Sequence, residues 1–500
     1  MLKQKFSLDF LSKLFHYILQ TLGGIIVARF AGPSVIGLIA YGTAFAGVFG
    51  FVNGLFGPAH IKIVAEQKSE DNCNKTFFIL KVITTFIFVF FVLTYYVIKD
   101  YFIGSGFDSN EYRIIIFLSV AIIVIQNFTS ASDRIFIARM EQAKSNIPSI
   151  FQSIFYNIGR SVLAILGFGA VILISSQLVT LLFLIIFYLY FLRNIPFGKY
   201  SHTLAKRYFT LSIPIFIVVL SNSLSVYLGR LLLEGFTDIK SLGLYTAGYN
   251  IAGIFLLMAS TAGTVFFPLF SKAVENDRIN EIIKYIKHYE RFLFLWIFPL
   301  TLFLSLFGKY IIILFLSMRY IDSASVFQLL VIASFLQLLI IPFSNLLLGF
   351  NKFNLIAYLG ISRLTLQIGL LFVFSYPKLL DLGIAGFALA QLISDFILFI
   401  IRYKMTKGLI GINIFKESTK YLLVGIFFYI LYFIFQLEFK LSGIFLIFLM
   451  ISYFICFYSI IFLFKLIDIN DFKILISLLN PRKMKDYIKF EIFENNKKND

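Results

Sequence analysis

Apolar runs of eighteen or more residues recur along this chain, separated by short polar stretches. A run of that length crosses the hydrocarbon core of a bilayer as a helix. The pattern predicts fourteen spans, at about 10–28, 37–60, 77–98, 112–131, 149–172, 178–193, 209–233, 243–269, 292–316, 325–349, 355–376, 383–401, 420–437 and 442–465. The runs lack the two-residue alternation of a barrel strand, so the predicted fold class is an all-α polytopic membrane protein. One pattern also returns. Gly37–Phe49 reads GLIAYGTAFAGVF and Gly243–Phe255 reads GLYTAGYNIAGIF, with Gly37/Gly243, Leu38/Leu244, Gly42/Gly248, Ala46/Ala252, Gly47/Gly253 and Phe49/Phe255 identical without a gap. Lys144-Ser145-Asn146 is echoed by Lys352-Phe353-Asn354 at nearly the same spacing. Two landmarks with one spacing predict a duplicated body. It comprises a six-helix bundle in residues 1–194, a linker in 195–208 and a second six-helix bundle in 209–403. Two further spans follow in 404–466, then a tail in 467–500.

Composition narrows the class. At 59% hydrophobic and 14% charged residues, the chain cannot be a water-soluble globule. Its net charge of +18 is distributed as a topology signal: most Lys and Arg fall on the side that bears both termini. Positive residues favour the cytoplasmic side, which predicts cytoplasmic termini and argues against a nucleic-acid surface. The start, MLKQKFSLDF, lacks the features of a removable signal peptide. Two cysteines give neither a disulfide framework nor metal spacing, and no G-x-x-x-x-G-K-[ST] phosphate loop occurs. No catalytic constellation, cofactor or metal site is expected.

Polar residues inside the spans carry the functional signal, because lipid cannot satisfy them and they should face protein or water. In the first span Asp9, Lys13, His16, Gln20 and Gly23/Gly24 share one helical face. In the fifth, Gln152, Tyr156/Asn157 and Arg160 do the same, and Arg160 lies roughly 16 Å along the helix. A central arginine costs roughly 2.5–3.5 kcal/mol on insertion scales, which calls for a polar cavity or a partner. The seventh span carries Asn222 in a polar patch and Arg230 with Glu234 four residues on; Arg230 either pairs with Glu234 or reaches a cavity. Asn53 follows the first glycine-rich stretch, Asn250 lies in its repeat, Arg363 opens the eleventh span and Asp395 lies within the twelfth. Asp395 belongs to an ion pathway or bonds to Arg363 or Arg402. The segment Ser271–Glu290 has isoleucines at helical spacing and is expected to be an amphipathic surface segment.

The run Ala28-Arg29-x-x-Gly32-Pro33-x-x-x-Gly37, after a polar-faced first span, resembles the opening of Wzx-type polysaccharide flippases. These belong to the multidrug/oligosaccharidyl-lipid/polysaccharide (MOP) exporter superfamily. The resemblance implies a MATE-like fold and a lipid-linked oligosaccharide substrate carried on a polyprenyl pyrophosphate. It further implies translocation across the bacterial cytoplasmic membrane in polysaccharide, lipopolysaccharide or capsule biosynthesis, with the lipid bilayer and polysaccharide assembly proteins as partners. A cation-coupled multidrug exporter and a peptidoglycan lipid-precursor flippase are the alternatives in the same superfamily. From the residues themselves, six spans per half relate the halves by an axis along the membrane normal. The first, second, seventh and eighth spans would then line a central cavity. Lys13, His16, Gln20, Asn53, Asn157, Arg160, Asn222, Arg230, Asn250 and Arg363 are its candidate lining, with Glu234 and Asp395 as candidates for ion coupling.

Overall fold

The computed structural model describes residues 2–66, 70–102, 109–139, 141–253, 270, 273–274, 278–350, 352–411, 418–435, 443–464 and 466–467. Among these the chain is helical between short connections. Seven helices make the first half: α1 (Leu2–Ala31), α2 (Pro33–Gly47), α3 (Gly57–Glu66), α4 (Glu70–Val97), α5 (Asn110–Ala138), α6 (Gln142–Ile165) and α7 (Ala170–Leu192). The second half holds α8 (His202–Phe236), α9 (Ile239–Ala252), α10 (Ile279–Phe292), α11 (Phe298–Leu306), α12 (Gly308–Phe315), α13 (Ser323–Gly349), α14 (Phe353–Ser375) and α15 (Gly383–Ile410). The chain continues in α16 (Ser418–Phe435) and α17 (Gly443–Leu463).

Eight helical segments among the described residues are each long and apolar enough to cross a membrane, and the bent pair α2–α3 makes a ninth. The other predicted spans fall on α6, whose polar face dilutes its hydropathy, on α9, and on α1, α16 and α17, whose described apolar stretches are shorter. Residues 254–269, the remainder of the predicted eighth span, lie outside the described residues. The second span is not one straight helix: a 3-10 turn, Gly50–Gly54, separates α2 from α3. Two glycines in five residues make that turn inexpensive, since glycine gains little from a regular helix.

One packing scheme occurs twice. In the first half α1 lies along α6, α2 packs on α5, and α5 and α6 both pack on α7. In the second half α8 lies along α14, α9 packs on α13, and α13 and α14 both pack on α15. The bundles meet where the repeated glycine stretches cross, α2 against α9. A Cβ on Gly37 would come within 1.9 Å of the Ile239 carbonyl oxygen, and one on Gly243 within 1.8 Å of the Pro33 carbonyl oxygen. Only glycine allows this approach, because the obstacle on each side is backbone and cannot rotate away. The large buried cluster that includes Tyr41, Phe45, Leu244, Tyr245 and Phe387 runs through this junction.

One expectation changes. The amphipathic segment before the ninth span is no separate surface piece: α10 runs through a π-helical turn, Leu293–Ile297, straight into α11. Its Ile282, Ile283 and Ile286 are covered by Phe343, Leu346 and Ile410, so the apolar face packs on protein. The basic linker is strapped to the start of α4. Gly198 N donates to Asp71 O at 2.9 Å, Lys199 N to Asn72 Oδ1 at 2.7 Å, and Ser201 N to Thr76 Oγ1 at 3.1 Å. The last two helices pack on α11 and each other and expose large apolar side chains such as Phe433 and Phe462, as suits a lipid-facing addition.

Candidate functional site

The two bundles enclose a cavity of about 550 Å³. α1 contributes Tyr17, Gln20, Thr21 and Gly24; α2 contributes Ile36, Ala40 and Thr43; α6 contributes Tyr156 and Arg160; and α7 contributes Gln177. From the second half come Arg230 on α8, then Thr246, Tyr249 and Asn250 on α9. Small residues make the space: wherever Gly24, Ala28, Ala40 or Ala247 faces inward, no side chain fills it. Two bonds between the halves bound the cavity at the end of α1. The Tyr320 hydroxyl donates to the Ala28 carbonyl at 2.7 Å and the Arg29 guanidinium to the Leu314 carbonyl at 3.1 Å, while Ala28 and Leu316 line the wall.

The electrostatics are one-sided: two arginines line the cavity, and no Asp or Glu is among the described residues that do. Arg160 is aimed by its surroundings. Its Nη1 donates to the Tyr156 hydroxyl at 3.2 Å, its Nη2 to the Gln20 carbonyl at 3.0 Å, and its guanidinium lies 4.6 Å from the centre of the Tyr156 ring. Nε of Arg160 is buried without a hydrogen-bond partner among the described residues. Arg230 is held in the same manner from the other bundle, its guanidinium 5.2 Å from the centre of the Tyr249 ring. Cation–π seating fixes a guanidinium without neutralising it, so the charge stays available.

Of the ten predicted lining residues, Gln20, Arg160, Arg230 and Asn250 meet at this cavity. His16 lies one turn away, half-buried, with its ring edge-on to Tyr17 at 5.8 Å between centroids. Asn157 is a correction. It is buried in the α1–α6 contact, donates to Ser153 O at 2.8 Å, and a Cβ on Gly23 would meet its Oδ1 at 3.0 Å. Helix packing, not the cavity, claims that side chain. Asn222 is exposed on α8 away from the cavity lining. Arg363 is a further correction: its Nε donates to Asp395 Oδ1 at 2.7 Å and its Nη2 to Oδ2 at 3.3 Å, while Gln337 donates to Oδ2 at 2.8 Å. Asp395 is thereby enclosed in an ion pair inside the second bundle. Glu234 is half-buried near the end of α8, outside the lining. The side chains of Lys13 and Asn53 lie outside the described residues.

Sequence reasoning passed over Gln177, Tyr17 and Tyr249, although all three line the cavity and stand beside polar neighbours in the chain, Gln177 after Ser175-Ser176, Tyr17 after His16 and Tyr249 before Asn250. Two further polar groups are buried away from the cavity. Lys81, within the third span, donates to Asn127 Oδ1 at 3.1 Å. His60, the last residue of the predicted second span, is fully buried, stacked on Phe77 at 4.1 Å and hydrogen-bonded through Nδ1 to the Tyr208 hydroxyl at 2.8 Å. Among the described residues no group of His, Cys, Asp or Glu is arranged to hold a metal ion.

Known proteins resemble this arrangement. The family model described as "Polysaccharide biosynthesis protein" matches residues 26–325. No curated protein matches the sequence. Among solved structures, lipid II flippase MurJ in an inward closed conformation superposes with a TM-score of 0.67 at 17% identity, covering 90% of this chain and 98% of that one. An inward-facing multidrug-resistance MATE family transporter of the MOP superfamily gives a TM-score of 0.65 at 16% identity, covering 79% of this chain and 94% of that one. At such identities the superpositions establish the fold. With the family match extending over more than half its length, the chain belongs to the polysaccharide biosynthesis protein family, and it is a multi-pass helical membrane protein with the fold of the two transporters on which it superposes.

Proposed function

We propose that the protein flips polyprenyl-pyrophosphate-linked oligosaccharide from the inner to the outer leaflet of the bacterial cytoplasmic membrane, both termini being cytoplasmic. The observation that carries this reading is the cavity's charge: Arg160 and Arg230 face into it and no described carboxylate does. Guanidinium groups recognise phosphate oxygens by paired hydrogen bonds, while Gln20, Gln177, Thr43 and Asn250 suit sugar hydroxyls. A volume of about 550 Å³ falls in the range of ligand-sized sites. It suits the pyrophosphate and the sugars next to it, the prenyl tail remaining in the bilayer.

With that topology, the Tyr320–Ala28 and Arg29–Leu314 bonds lie at the outer end, so the cavity is closed to the outside. Alternating access then means parting the outer ties and closing the inner end by rocking one bundle against the other. A multidrug exporter for cationic compounds would need acidic lining, which this cavity lacks among its described residues. Asp395 is already neutralised by Arg363, leaving Glu234 as the coupling candidate. Export to the outer leaflet would supply polysaccharide assembly proteins there.

The test is deletion of the gene followed by measurement of which leaflet holds lipid-linked glycan, with complementation by the wild type and by Arg160→Ala. The expected result is glycan trapped in the inner leaflet, released by the wild type and not by the variant. Glycan reaching the outer leaflet normally in the deletion strain would reject the reading. Trapping of peptidoglycan precursor instead would reassign the substrate.

A further inference from the structure

Resting on that reading and its orientation, we propose that Ser317 is a backbone spring in the outer closure, strained while the bundles are tied there and relaxed when they part. Its φ is +111° and its ψ is 171°. That corner of backbone space is open to glycine and costly to a residue with a side chain. The serine gains no bond in exchange, since its Oγ is buried without a hydrogen-bond partner among the described residues.

The strain has a local remedy that the closed state withholds. Ser317 follows α12 and opens the 3-10 turn Met318–Tyr320, which makes it the N-cap of that turn. A serine in that place ordinarily has extended backbone and turns its oxygen onto an N–H of the turn it opens. The ψ of Ser317 already suits this; only φ has the wrong sign, and the side chain makes no capping bond. Rotating φ to a negative value relieves the backbone and brings the hydroxyl to the turn in one movement.

Position prevents that rotation. Three residues before Ser317 the Leu314 carbonyl accepts from Arg29, and three residues after it the Tyr320 hydroxyl donates to Ala28 O at 2.7 Å. Both ties run to the end of α1, and Leu316 between them is buried in the cavity wall. Turning φ of Ser317 swings α12 against the 3-10 turn, so Leu314 and Tyr320 cannot both keep their partners on α1. One residue thus offers the outer end two discrete arrangements, tied and strained or parted and capped. The ties hold the closure, and the strain lowers the cost of parting them.

The experiment uses the full chain in right-side-out membrane vesicles. Cys73 and Cys456 are replaced by alanine and Thr43→Cys puts a thiol on the cavity wall. Its labelling rate with an impermeant thiol reagent added outside reads how often the outer end opens. Ser317→Gly accepts the present backbone without strain and should slow labelling about tenfold. Ser317→Ala keeps the strain but loses the hydroxyl that caps the parted state, and should slow labelling about threefold. Ser317→Thr keeps the hydroxyl and adds a stiff branched side chain where φ is positive, and should speed labelling. Labelling needs no glycan, so a Ser317→Gly rate equal to or above that of the parent would overturn the spring and leave the flippase reading standing. Equal slowing in Ser317→Gly and Ser317→Ala would also overturn it, because the backbone would then contribute nothing. A thiol that stays unlabelled from outside in the parent and in Tyr320→Phe alike would overturn the inference together with the orientation on which it rests.

Discussion

Arg160 and Arg363 sit in corresponding spans of the two halves, the fifth and the eleventh, and stand in opposite electrostatic situations. Arg363 is enclosed with Asp395, whose side chain is only 2% exposed, and Gln337 completes the carboxylate's bonding. Arg160 has no carboxylate partner among the described residues; it takes a carbonyl, a phenol and an aromatic face, and its charge opens on the cavity. An arginine within a membrane protein must be neutralised by a buried acid or hydrated in a wet space. One half takes the first course and closes its arginine in an ion pair, and the other takes the second and leaves its arginine on the cavity.

The largest effect should come from breaking the closed pair. Asp395→Asn strands the Arg363 charge and should destabilise the protein by about 3–5 kcal/mol, read as a drop in detergent melting temperature. The double variant Arg363→Met with Asp395→Leu should regain most of that loss, since no charge is left unpaired. Next is the junction between the halves. Gly37→Ala forces a Cβ into the Ile239 carbonyl and should cost about 3 kcal/mol, the upper end for overpacking. Gly50→Ala, whose Cβ would meet only the Ile123 side chain at an ordinary 3.6 Å, should melt like wild type. Arg160→Gln is expected to invert the Asp395 result: transport in the leaflet assay should fall at least tenfold, with stability changed by about 1 kcal/mol or less. A large loss of stability there would show that Arg160 is structural after all. On the proposed topology, Tyr320→Phe removes one buried tie across the outer end. It should cost about 1 kcal/mol and raise labelling of a cysteine placed at Thr43 by an impermeant thiol reagent added outside.

The smallest effect belongs to a third setting, the connection between α5 and α6, where Glu141 accepts hydrogen bonds from Lys144 at 2.7 Å and Arg139 at 3.2 Å. Burial acts to raise the Glu141 pKa, but those bonds and charges outweigh it and hold the carboxyl below its ordinary value. A depressed folded pKa gives stability that is present above the unfolded value near 4.3 and is lost as pH falls through the folded one. Wild type should therefore lose its small advantage over Glu141→Gln only below about pH 4, in melting curves taken across that range.

Much of the cavity was legible as periodicity. Gln20 and Arg160 could be placed because each lies on a polar stripe in an otherwise apolar helix, and such stripes have few places to go in a bilayer. Asn157 lies on the same stripe as Arg160, yet it turns into the α1–α6 contact, because one face of a helix is wide enough to serve both a neighbour and a cavity. Asn222 failed for the related reason that a polar patch can face outward. Tyr249 gave no signal, since an aromatic among small residues is ordinary in a membrane helix.

By itself the sequence determined that this is a helical membrane protein, built twice over, with cations inside its spans. Those properties follow from hydropathy, residue spacing and repetition, which are local and survive without coordinates. Only the tertiary structure decided which cation stays free. Whether an arginine meets an aspartate, a tyrosine face or water depends on side chains from helices distant in the chain, and that encounter is fixed by how the helices pack.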